Sequence, residues 1–96
     1  VRILESDVTF GDSQGSGGKH YQDILAHGKV IGCLYERERG LLAPIETLYC
    51  VCVSEAKAEK CPRWIESEDE GQIIALFEDF DQYLQFVNEE VVPVRF

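Results

Sequence analysis

The chain has 96 residues, is 45% hydrophobic and 28% charged, and carries a formal net charge of −9 at pH 7. That length makes a single domain, residues 1–96, and that apolar content argues for a packed core rather than disorder. The negative charge works against binding nucleic acid or an anionic membrane, and the longest apolar runs, residues 48–53 and 73–77, fall far short of the ~20 residues of a membrane span.

No basic stretch followed by an apolar one opens the sequence, so a cytoplasmic protein is the expectation. Residues 1–10 (VRILESDVTF) alternate loosely and read as a strand. Residues 11–19 (GDSQGSGGK) hold four glycines in nine positions and read as a flexible loop. Residues 21–26 and 30–36 then form two strands around His27-Gly28-Lys29, with Gly28 supplying the positive φ of a hairpin turn. A short helix over residues 19–26 is the alternative. In the second strand Val30, Gly32 and Leu34 share one face, and Ile31, Cys33 and Tyr35 the other.

Glu36-Arg37-Glu38-Arg39-Gly40 reads as a solvated turn, and Pro44 limits where the next element starts. Residues 45–53 (IETLYCVCV) are the strongest strand pattern, with Ile45, Thr47, Tyr49, Val51 and Val53 on one face and Leu48, Cys50 and Cys52 on the other. Apolar residues on both faces predict a central strand covered on both sides, or nearly so. Residues 54–60 (SEAKAEK) read as a polar connector.

Two readings compete for the segment that follows. In the first, residues 63–66 and 72–77 pair as a hairpin closed at Gly71, and Asp79 caps a helix running to about Glu90 with Gln82 completing the capping pattern. In the second, one long helix starts at Ser67 and buries Ile73, Leu76, Phe77, Phe80, Tyr83, Leu84 and Val87. Gly71 in the first turn, with Ile74 and Phe86 off the stripe, favours the hairpin. Residues 91–96 add an edge strand bounded by Pro93. The predicted architecture is therefore α+β: an antiparallel sheet of about five or six strands with one amphipathic C-terminal helix packed on one face.

Catalytic signatures are weak, and an enzyme is the less favoured class. Gly18-Lys19 matches a phosphate-binding loop, but His20 stands where Ser or Thr is required and Ser13 where Gly is. The four cysteines, Cys33, Cys50, Cys52 and Cys61, read as reduced core thiols, with at least one disulfide as the first alternative and a metal site as the second; Cys-x-Cys along a strand is a poor zinc knuckle. Neither catalytic residues, nor metal ligands, nor a cofactor are assigned. A metal or redox protein built on Cys50, Cys52 and Cys61 is the alternative function, and a small enzyme using the glycine loop with His20 a further one.

The charge distribution is more informative. Residues 66–90 hold nine carboxylates and no Lys or Arg, while the other 71 residues carry nine acidic and nine basic side chains. This predicts a small acidic non-enzymatic protein-binding module, an inhibitor, immunity-type neutraliser or adaptor that recognises a basic partner. Its partner-binding candidates are Trp64, Glu66, Glu68, Asp69, Glu70, Glu78, Asp79, Asp81 and Phe86. An edge strand near either terminus could pair with a copy of itself, which leaves a homodimer open.

Overall fold

A computed structural model describes residues 2–15, 17–38, 40–67 and 71–91. The expected strand over residues 91–96 and three of the candidate carboxylates, Glu68, Asp69 and Glu70, lie outside the described residues, apart from the backbone of Val91.

Six strands form one antiparallel sheet: β1 (Val8–Phe10), β2 (Lys19–Ala26), β3 (Lys29–Arg37), β4 (Glu46–Val53), β5 (Trp64–Glu66) and β6 (Ile73–Phe77), in the spatial order β1-β2-β3-β4-β6-β5. A single helical turn, α1 (Glu55–Ala58), follows β4, and the C-terminal helix α2 (Phe80–Phe86) continues as a π turn over Val87–Val91. α2 packs on one face of the sheet, as the α+β reading requires.

Local chemistry sets most of these boundaries. The β2–β3 turn is only two residues, His27 and Gly28, with φ of 51° and 74°. Positive φ at both positions is the type I′ geometry that matches strand twist, so Lys29 belongs to β3. One residue of β3, Ile31, bulges out opposite Ile24 and Leu25.

The N-terminal strand is much shorter than its sequence suggests. Leu4 N–H donates to Asp7 Oδ2 at 2.9 Å and a 3₁₀ turn forms over Glu5–Asp7, because a short carboxylate competes for backbone donors. Ile3 is buried all the same. Its N–H donates to Asn88 Oδ1 at 2.7 Å and its carbonyl accepts from Asn88 Nδ2 at 2.9 Å. One buried amide thus latches the N-terminal segment to the end of α2 and satisfies both backbone groups.

The segment around β5 and β6 is the hairpin followed by a helix. Ser67 N–H donates to Gln72 O at 2.6 Å, and Asp79 Oδ1 accepts the Gln82 N–H at 3.1 Å as the N-cap of α2. The polar connector is not merely a loop: Ser54 Oγ accepts from Lys57 N at 3.4 Å, and Ala58 of α1 is buried. Lys57 Nζ donates to the Glu90 carbonyl, and Lys60 Nζ lies 3.1 Å from Glu90 Oε1, tying α1 to the end of the C-terminal helical segment.

Ile24, Leu34, Val51, Ala75 and Phe77 of the sheet meet Tyr83, Leu84, Phe86 and Val87 in the core. Tyr83 is its centre: its ring lies 5.8 Å from Tyr49 and 6.1 Å from Phe77, and its hydroxyl donates to Ile31 O at 3.0 Å. The hydroxyl reaches that carbonyl over Gly32, where a Cβ would collide with Tyr83 Oη and the Cys50 carbonyl.

Candidate functional site

Strand alternation gives the sheet two chemically distinct faces. β4 sends Tyr49, Val51 and Val53 towards α2 and Leu48, Cys50 and Cys52 the other way; β6 divides Ala75 and Phe77 from Ile74 and Leu76 in the same manner. The expectation that β4 is covered on both sides is corrected here. α2 occupies one face, and among the described residues no element covers the other.

That open face is a trough of about 940 Å³. Leu48, Cys50, Ile74 and Leu76 lie on its floor, Ile65 of β5 stands at one edge, and Tyr21 and Tyr35 form the opposite wall with their rings 5.2 Å apart. Leu48 and Leu76 are buried even without a second layer, because the neighbouring side chains close around them. At one end Arg37 Nη2 lies 3.5 Å from Glu46 Oε2 and Arg63 Nη1 lies 3.8 Å from Glu46 Oε1. Two guanidiniums therefore share a largely buried carboxylate, while each keeps nearly half of its own surface in solvent.

Three of the four thiols share this face. Cys33 is the register partner of Cys50, and Cys52 follows two residues on. All four cysteines are free. Burial pushes the Cys50 thiol up to about 12, helped by the neighbouring Cys33 and Cys52 and opposed by Arg63. Burial also raises Cys33, with the Asp23 charge adding to it, and raises Cys61, with Glu90 adding to it. Raised values mean less thiolate at neutral pH, the opposite of what nucleophilic or redox thiols need. No group of three or more metal-ligating side chains converges among the described residues. At pH 8 iodoacetamide is expected to modify the exposed Cys52 first and Cys50 last. The shift from 9.0 to about 12 lowers the Cys50 thiolate fraction about a thousandfold. Peptide mass spectrometry over a labelling time course measures the order.

The glycine loop does not form an open anion cradle. Gly11 N–H donates to Asp23 O at 2.9 Å, and Gln14 and Tyr21 exchange backbone bonds of 2.8 and 2.7 Å, so the chain follows the edge of β2. Gly18 O accepts from Glu38 N, and a Cβ at Gly18 would lie 3.2 Å from the Glu38 carboxylate, a negative group beside Gly18 that disfavours an anion there. Lys19 is exposed on β2.

The described partner-binding candidates divide into three places. Trp64 and Glu66 are exposed and share one side of β5, opposite Ala75 and Ile73. Glu78, Asp79 and Asp81 are exposed beyond the far end of β6, roughly 16 Å from Glu66 at ~3.3 Å per residue, and Asp79 is engaged as a helix cap. Phe86 is the correction. Its ring packs 5.2 Å from Phe77 and only 8% of its surface is exposed, because α2 turns this residue towards β6. It belongs to the core.

No family model, curated protein or solved structure matches this chain. No helix is long and apolar enough to cross a membrane among the described residues. Sequence reasoning missed the open face and its Arg37–Glu46–Arg63 end. One signal was available: β3 and β4 are apolar on both faces, yet the sequence offers one amphipathic helix, which can cover only one.

Proposed function

We propose that this chain is a small non-enzymatic protein-binding module that captures a basic partner at the Trp64–Glu66 edge. The observation that carries this reading is the 46% exposure of the only tryptophan, on a three-residue edge strand, with Glu66 beside it on the same side. An amphipathic aromatic ring held by a strand is a low-entropy contact, and tryptophan is among the residues that dominate interface energetics. Glu66, Glu78, Asp81 and Glu89 are exposed and make no ion pair with a described Lys or Arg, so their field is free to act on a cation. Glu78, Asp79 and Asp81 steer the approach from farther away, within about two Debye lengths at physiological salt.

The test is affinity capture from an extract of the source cells, comparing the native chain with Trp64→Ala and Glu66→Lys. A strongly basic protein is expected to be retained at about 50 mM salt and released by about 500 mM. Trp64→Ala should weaken its binding roughly thirtyfold, the effect of removing a 2 kcal/mol contact. Identical retention by all three proteins, or binding indifferent to salt, would remove the basis of this reading.

A further inference from the structure

We propose that the open face of the sheet is a binding site for a free long-chain fatty acid, with the hydrocarbon tail along the apolar floor and the carboxylate at Arg37 and Arg63. This site is separate from the Trp64–Glu66 edge. Ile65 faces the trough, whereas Trp64 and Glu66 point to the other side of β5.

An antiparallel sheet leaves a face to water when that face is polar. Here the face that no described element covers carries Leu48, Ile65, Ile74 and Leu76 with three thiols between and beside them. A contiguous apolar surface of this kind marks a place where something binds. Its volume of about 940 Å³ lies within the range of small-molecule sites, which are concave, mostly apolar and supplied with a few polar groups that set orientation. The distance from Glu46 to Cys52 along β4 is about 20 Å, the length of an extended acyl chain.

Charge selects among occupants. The molecule as a whole is strongly acidic. The strands facing the trough nevertheless bring Lys19, Lys29, Arg37 and Arg63 to this side against Asp23 and Glu46. A cationic segment is therefore disfavoured here. A second copy laid face to face would oppose two faces that each carry a net positive charge. An apolar body with one anionic end meets both requirements. Each guanidinium has five N–H donors and Glu46 cannot use them all, so a ligand carboxylate can be held by charge-assisted bonds at the solvent-facing side of both arginines.

The experiment uses the full chain and 11-(dansylamino)undecanoic acid, a fluorescent fatty acid. Fluorescence enhancement with micromolar affinity is expected, reversed by oleate and not by oleylamine, which has the same tail and the opposite charge. Arg63→Gln should weaken binding about tenfold, the effect of one charge-assisted hydrogen bond, and leaves Arg37 on Glu46. Oleate should also slow alkylation of Cys52 on the trough while leaving Cys61, outside it, unchanged. No enhancement at about 100 µM protein, ten or more times the dissociation constant expected here, overturns the proposal. So does equal displacement by the amine, or Cys52 already protected in a dimer seen by sedimentation. The head-group comparison is made on the unaltered chain, so it stands even if the variant folds poorly.

Discussion

Replacing Tyr83 with alanine is expected to destabilise the fold by about 4 kcal/mol, the usual result of deleting a fully buried aromatic ring. Tyr83 has no exposed surface and contacts Tyr49, Phe77 and Phe80 with its ring. Against a total stability of about 5–15 kcal/mol for a domain, that loss leaves little margin. Denaturant titration followed by Trp64 fluorescence or circular dichroism measures it. Tyr83→Phe separates the ring from the hydroxyl. It removes only the bond to Ile31 O and should cost about 1–2 kcal/mol at pH 7.

The Tyr83 comparison has a pH dependence of known sign. Burial raises the Tyr83 phenol above its ordinary 10.0, and the nearby Cys50 and Cys33 add to the effect. A group raised in the folded state contributes stability that is fully present below its unfolded value and is lost as pH climbs towards the folded one. For Tyr83 the loss begins near pH 10; for Cys33, Cys50 and Cys61 it begins near pH 9. The native chain should therefore weaken steadily above pH 9. Tyr83→Phe should weaken less steeply above pH 10, so the gap between the two closes. Parallel curves for the two proteins from pH 7 to about 11.5 would contradict the burial of this phenol.

Gly32→Ala is expected to cost about 3 kcal/mol, an unusually large penalty for one methyl group. The reason is what the added carbon meets. One obstacle is the Tyr83 hydroxyl, a side-chain tip, but the other is the Cys50 carbonyl of the adjacent strand, which cannot move without disturbing the β3–β4 ladder. Combining Gly32→Ala with Tyr83→Phe removes the hydroxyl, leaves the ring carbon Cζ at 3.1 Å and keeps the second obstacle. The double variant should be more stable than the sum of the single effects predicts, by about 1 kcal/mol, since the two sites are in contact. Strict additivity would mean that the phenol does not lie over Gly32.

The sequence alone determined most of the local elements, because their causes are local; the 3₁₀ turn over Glu5–Asp7 and the helical turn α1 escaped it. His27-Gly28 permits a two-residue turn, Asp79 caps the helix that follows it, and Gly71 breaks the long-helix alternative in favour of two strands. Period-two alternation placed Tyr49, Val51 and Val53 on one face of β4 and Leu48, Cys50 and Cys52 on the other, as the register shows, while Ile45 lies outside the strand and is exposed. What only the tertiary structure decided depends on register and on which surface a helix chooses. Phe86 looked available and is core, because the docking of α2 on the sheet brings its ring against Phe77. Arg63 meets Glu46 across seventeen residues of chain because β6 lies between β4 and β5 and their registers align, information no local window contains. Both faces of β4 are apolar in the sequence. Which one stays open was settled by α2, whose Tyr83 fits the gap that Gly32 leaves on one side only.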